Sequence, residues 1–448
     1  MLKSTLGSFR KISLIEKIIY LYILILPIDS GGKLLLFNRK MQYADLLFPA
    51  LFIVWCLYKL KQKSKGIKGR IPAPYLIIAL LLLVTLCSFI NSINLMHSIA
   101  EWSGLLYLAV FFLIISDAID SIEKFRRLLA VYSLSAVIAA STGLAAFWDY
   151  LITGRAAGNP FLFFWAAESS VLFFPRIKSF FYTPNMFVSF EHIGLVTAIG
   201  MLFLLNADTR KKAILSVCIG MMLIAVFLAG SQCLAGALLT LFIISLKFKS
   251  RIARILKYII FISTLLVIIF AFFTTVWMIY PVKIDNDREG KAINININYA
   301  YSHHIIPSIY GISMFRDHPF LGVGIGTFQD RYPKYIQMDI EKISSVKMQV
   351  PPDRILDPHN TYTGALAEYG LLGFLAMLAL FASFIKLLAG RVKERSDMLS
   401  YCLLAGLLGF LFNALFIDIM MMRHFWIFLA MILILHKNRK EANDGLKI

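Results

Sequence analysis

Residues 74–91 read PYLIIALLLLVTLCSFIN, a run in which no side chain carries a charge. A helix of about 20 apolar residues is what crosses the roughly 30 Å hydrocarbon core of a bilayer, and a strand or an ordinary core helix needs less. Lipid offers the backbone no hydrogen-bond partners, so a run that spans must satisfy its own N–H and C=O groups as a helix. Outward from this stretch, comparable runs recur at 13–29, 44–60, 102–117, 128–149, 186–206, 213–230, 232–246, 257–279, 362–387, 398–417 and 424–436. Of the 448 residues, 59% are hydrophobic and 16% charged, well below the roughly 25% charge of ordinary soluble domains. The expected fold is an all-α integral membrane protein with about twelve transmembrane helices and a large, partly helical outer loop. Its expected parts are 1–279, helices with a smaller outer segment near 150–185; 280–361, the large loop; and 362–448, the last helices and a tail.

The net charge of +19 does not point to nucleic acid, because the basic residues stand in small clusters between apolar runs rather than in one patch. Clusters at 3–17, 59–70, 124–127, 210–212, 247–257, 386–395 and 437–447 all fall on one side if the runs alternate across the membrane. The positive-inside rule makes that side, and both termini, cytoplasmic. The apolar run at 18–28 is followed by charge without a small-residue cleavage site, so it reads as the first span and not as a signal peptide. Cys56, Cys87, Cys218, Cys233 and Cys402 lie in apolar runs with no metal-ligand spacing and read as small core residues.

Function is expected in the outward segments, which are too long to be mere connectors. Within 280–361, Asp285, Asn286 and Asp287 have the D-x-D shape of a cation site but suit a solvated loop better. The alternation INININ from Ile293 favours a strand or loop, and apolar residues from Ile305 to Phe315 recur at helical spacing. Gly322, Gly324 and Gly326 in LGVGIGTF lack the context of a dinucleotide fingerprint and read as a turn where backbone approaches backbone or a ligand. His359 stands just before an apolar run, where it is either a neutral proton acceptor or a helix-capping, interfacial residue. Arg176, Lys178, Arg316, Arg331 and Arg423 face outward; arginine grips phosphate bidentately, while each also suits a lipid headgroup or an ion pair. Glu368 and Asp418 lie close enough to hydrocarbon to need partners, an ion pair between spans being the simplest.

Three segments taken in order, RIKSFFYTPNMF (176–187), RDHPFLGVGIGTF (316–328) and DPHNTYTGALAEYGLLGF (357–374), resemble the O-antigen ligase and O-antigen polymerase family of bacterial membrane glycosyltransferases. The resemblance implies transfer of a glycan from undecaprenyl diphosphate to an acceptor hydroxyl on the periplasmic face of the inner membrane. It further implies inversion at the anomeric carbon and no metal or other cofactor. On that footing His359 is the general base and Arg176 steadies the diphosphate. Asn185, His304, Arg316, Asn360 and Arg423 are the further donor or glycan contacts, and Gly322, Gly324, Glu368 and Asp418 support them. Two departures stand out: Ser231-Gln232 where members commonly carry Ser-Arg, and His303-His304 where an arginine is common. The expected partners are the lipid-linked donor, membrane lipids and lipid A-core or another glycan as acceptor, with no nucleic acid. Ligation to lipid A-core is preferred to polymerisation of lipid-linked repeats. Transport is less favoured because the distinctive polar residues gather at the outer interface and not in mid-span cavities.

Overall fold

Helix by helix, the computed structural model places apolar side chains on two kinds of surface. It describes residues 12–29, 35–36, 39–61, 72–154, 159–163, 175–204, 209–276, 305–343, 358–395 and 397–444. The helices are α1 (Leu14–Ile25), α2 (Phe48–Lys61), α3 (Ala73–Cys87), α4 (Leu95–Ala118), α5 (Ile122–Thr153), α6 (Pro184–Leu204), α7 (Thr209–Leu228), α8 (Leu234–Ser245), α9 (Arg251–Val276), α10 (Ile305–Asp317), α11 (Phe328–Ile343), α12 (Thr361–Arg395), α13 (Met398–Asn413) and α14 (Arg423–Asp444). Among the described residues, strands form two antiparallel pairs of two residues each, Leu35–Leu36 with Arg39–Lys40 and Leu162–Phe163 with Arg176–Ile177. Each run read as a span overlaps a described helix, and among the described residues seven helical segments are long and apolar enough to cross a membrane.

The opening stretch 74–91 shows why apolar sequence alone does not mark the core. Along α3, Leu76, Leu80 and Leu83 are exposed on one stripe, whereas Ile78 and Leu81 are buried on another. Cys87 continues the exposed stripe, so the expectation of a core residue fails there: in a bilayer, positions facing lipid are as apolar as those facing protein. Cys233 and Cys402 are buried as expected. α14 is apolar all round and correspondingly enclosed, with every residue from Phe425 to Leu435 at most 1% exposed. It packs along α4, while α13 lies against α6 and α8, α12 against α3, and α5 against α6. Small residues allow these approaches: a Cβ on Gly236 would sit 2.2 Å from the Gly409 carbonyl oxygen.

α12 is broken at Gly370, whose dihedrals (φ 64°, ψ −166°) no L-residue adopts readily. A break inside an apolar helix frees backbone groups that lipid cannot satisfy. Here the segment 319–324 satisfies them. Val323 and Gly324 N–H donate to the carbonyls of Ala367 and Glu368 at 2.8 and 3.2 Å, and Leu371 and Leu372 N–H donate to those of Pro319 and Phe320 at 2.8 and 3.2 Å. Only glycine fits at Gly322 and Gly370, where a Cβ would lie 2.4 Å from backbone carbon of Glu368 and Phe320 respectively. The kink thus straps the segment 319–324 onto the bundle. A small core of Met314, Val323, Phe328, Tyr332, Tyr335 and Ala367 closes beneath the strap. On its other side Asn91 Nδ2 donates to Gly322 O at 2.8 Å, Arg331 donates to Asn91 O at 2.9 Å, and His97 Nδ1 lies 2.8 Å from Asp330 Oδ2.

Candidate active site

The strap, the start of α12, the turn before α14 and the turn before α6 meet around a cavity of about 410 Å³. His359 lies in its wall. The approach to α12 explains its placement. Asn360 is the N-cap: its Oδ1 accepts from the N–H groups of Tyr362 and Thr363 at 2.9 and 3.2 Å. Thr361 then pins the helix start to the neighbouring turn, its N–H donating to Ala414 O at 2.9 Å and its hydroxyl to Ile417 O at 2.8 Å while accepting from Ile419 N–H at 3.0 Å. Pro358 packs against Gly364, where a Cβ would come within 2.9 Å of the ring. Between these fixed points His359 adopts φ +47°, a left-handed conformation uncommon outside glycine. The imidazole is half-buried, and burial lowers its pKa below the usual value of about 6.5, so the neutral, proton-accepting form prevails at neutral pH.

Of the other site residues expected from sequence, Asn185, Glu368, Asp418 and Arg423 line the same cavity. Glu368 Oε1 accepts from Phe328 N–H at 3.1 Å and so also caps α11, while Asp418 Oδ1 accepts from Met420 N–H at 3.0 Å. Arg423 reaches the cavity with its charge already matched. Its Nε and terminal nitrogen meet the two oxygens of buried Asp45 at 2.9 and 2.5 Å, and the Tyr107 and Tyr22 hydroxyls donate to Asp45 Oδ1 at 2.8 and 3.2 Å. The expected ion pair between spans therefore exists, but Arg423 pairs with Asp45 and not with its close neighbour in sequence, Asp418, whose carboxylate turns back onto its own backbone.

Arg176 stands beside the cavity and does not line it. Its Nε donates to Ala229 O at 2.9 Å and its stem packs on Gly230. Among the described residues no carboxylate accompanies it, in contrast to Arg423, and burial lowers its pKa from the ordinary arginine value. The next residues carry the connection: Ser231 Oγ donates to Asn185 Oδ1 at 2.7 Å, and Asn185 lines the same cavity as His359. Gln232, where the resembling family carries arginine, has a buried Oε1 without a hydrogen-bond partner among the described residues. Arg316 is exposed at the end of α10 and does not line the cavity. Gly322 and Gly324 act through backbone packing at the strap. His304, with Asp285, Asn286, Asp287, His303 and the alternation from Ile293, lies outside the described residues.

Two acidic residues at or beside the cavity escaped the sequence reading. Asp45 holds Arg423, and Glu101 lines the cavity from α4. The signal was the charge itself, since an acid at membrane depth needs a partner or a task. Among the described residues no group of three or more His, Cys, Asp or Glu side chains is placed to hold a metal ion.

Residues 196–378 match the family model described as O-antigen ligase. This stretch of the chain is similar to the O-antigen ligase family. It takes in the strap, His359, the kink at Gly370 and most of the helices that carry them, and leaves Arg176, Asn185 and Arg423 outside. No curated protein matches the chain. The helices that are long and apolar enough to cross a membrane agree with a multi-pass membrane protein.

Proposed function

We propose that the protein transfers a glycan from undecaprenyl diphosphate to an acceptor hydroxyl at the periplasmic face of the inner membrane, with lipid A-core as the acceptor. The observation that carries this reading is His359, neutral and held in a left-handed turn on the wall of a cavity that a single chain builds from five separate segments. His359 takes the proton of the acceptor hydroxyl as that oxygen attacks the anomeric carbon. The bond from that carbon to the diphosphate oxygen breaks, its electron pair leaves on the diphosphate, and a single displacement inverts the centre. Arg176, with no carboxylate partner among the described residues, offsets the charge developing on the leaving group, and Ser231 with Asn185 links that cation to the cavity. His304 and Arg316 are proposed to steady the donor on the approach side, and Asn360 to position the glycan while capping α12.

The division into 1–279, an outer 280–361 and 362–448, about twelve crossings and cytoplasmic termini complete the proposal; the charge bias of the short loops supports them. The test is a product analysis. Purified protein in lipid, given undecaprenyl diphosphate-linked glycan and lipid A-core with a chelator present, is expected to place glycan on lipid A-core. Longer lipid-linked glycan instead would make it a polymerase, and no product would refute transfer.

A further inference from the structure

Three basic side chains near the strap take no part in the cavity. Arg331, His318 and Lys334 do not line it, yet they stand together: burial lowers the pKa of His318, and Arg331 and Lys334 press it further down against the opposing pull of Asp317. The acids beside them in sequence are engaged elsewhere. Asp330 Oδ2 lies 2.8 Å from His97 Nδ1 and its Oδ1 accepts from Asn94 Nδ2 at 3.3 Å, while Asp317 accepts from the Tyr335 hydroxyl at 2.5 Å. Arg331 is half-buried. Its Nη2 donates to Asn91 O at 2.9 Å, and its Nε is buried without a hydrogen-bond partner among the described residues. A guanidinium bonded so incompletely, beside two further basic side chains, suits an anion rich in acceptor oxygens.

Exposed apolar surface leads to the same place. Leu80 and Leu83 on the open stripe of α3 are followed at helical spacing by Ile90, which is 78% exposed and precedes Asn91. α12 packs along α3 and carries exposed Leu372 and Leu375. Leu372 N–H donates to Phe320 O at 3.2 Å, and Phe320, 68% exposed, stands two residues from His318. Two apolar stripes ending at a basic cluster match the shape of a phospholipid, with acyl chains on the stripes and phosphate on the cations.

We propose that Arg331, His318 and Lys334 hold the headgroup of an anionic phospholipid of the phosphatidylglycerol class, its acyl chains lying along the exposed residues of α3 and α12. The neutral imidazole gives one N–H to a phosphate oxygen and the other two side chains give charge. A headgroup that carries its own ammonium would meet repulsion there. The lipid also braces the strap, because Asn91, which accepts from Arg331, donates its Nδ2 to Gly322 O at 2.8 Å. The claim concerns binding and stability and stands apart from the transferase reading.

The experiment titrates phosphatidylglycerol, phosphatidylcholine of the same acyl chains, and glycerol phosphate separately into the purified full chain in neutral detergent without donor, and reads Tm. Phosphatidylglycerol is expected to raise Tm saturably by about 2–4 °C, and the other two to leave it unchanged. Lys334→Gln, at an exposed position, is expected to raise the phosphatidylglycerol concentration for half the rise by about fivefold. Arg331→Gln is expected to raise it at least as much, with Arg331→Lys recovering part. Lys212→Gln, in the exposed basic first turn of α7, is expected to change nothing. Should Arg331→Gln lower Tm by itself, Lys334→Gln still decides. No rise in wild type overturns the inference, as does an equal rise with phosphatidylcholine, which needs no anion, or with glycerol phosphate, which needs no lipid. A response that Lys334→Gln leaves untouched, or that Lys212→Gln weakens equally, places the lipid elsewhere and overturns it too.

Discussion

Arg423 and Asp45 show at the residue level how this protein keeps charge near hydrocarbon. The guanidinium is gripped at both ends and the carboxylate accepts from two tyrosines besides, with Gln42 N–H adding a bond at 2.8 Å. Breaking a buried pair by removing one partner leaves the other uncompensated, a loss of about 3–5 kcal/mol. Asp45→Ala is therefore expected to lower the Tm in detergent substantially, and the double replacement Asp45→Leu with Arg423→Met to recover much of that loss. A larger loss in the double variant would mean that Arg423 has a use beyond the pair. His359 makes the pH prediction. A base must be neutral to act, and its folded pKa lies below the usual histidine value, so activity should climb with pH with its midpoint below about 6.5 and then level off. A rise centred above 7 in the kcat profile would assign the base elsewhere. Arg176→Ala is expected to slow transfer by about 10²- to 10³-fold, and Arg316→Ala, remote from the cavity, far less.

The elements were the most legible part of the sequence, because length and apolarity together specify a helix in lipid whatever its neighbours. Residues 305–315, read as helical from their spacing, form α10 over Ile305–Asp317. The break at Gly370 was not legible: YGLLG reads as any apolar helix with small residues, and its irregular dihedrals exist only because the backbone of 319–324 is there to bond the freed groups. The same coupling gives LGVGIGTF its glycines. Gly370→Ala and Gly322→Ala each force an L-residue into a left-handed region costing roughly 1–3 kcal/mol and add a clash with backbone, so both are expected to lower Tm and transfer together. Gly390→Ala, at a helical position with open space around it, is expected to be neutral or to raise stability by about 0.5–1 kcal/mol. Equal losses at all three would show that the strap is not what the glycines serve.

Across the whole molecule, sequence motifs located three of the five segments that line the cavity, since those at 182–186, 326–329 and 358–369 lie within or beside the quoted stretches. It did not find Glu101 or Asp45, because nothing local separates an acid aimed into a site from one at the lipid interface; only packing of distant helices does that. The charge bias of the short loops predicts the orientation. Alkaline phosphatase fused after residue 346 should be active and the same enzyme fused after residue 250 inactive, and the reverse pattern would invert the proposed topology. The account's central claim is that His359 activates the acceptor within this cavity. The measurement that reaches it most directly is the single-turnover rate of glycan transfer by His359→Ala in lipid, with donor-induced thermal stabilisation confirming an intact fold. The rate is predicted to fall by about 10²- to 10⁴-fold with donor binding unchanged; a variant that binds donor and transfers at the wild-type rate would contradict it.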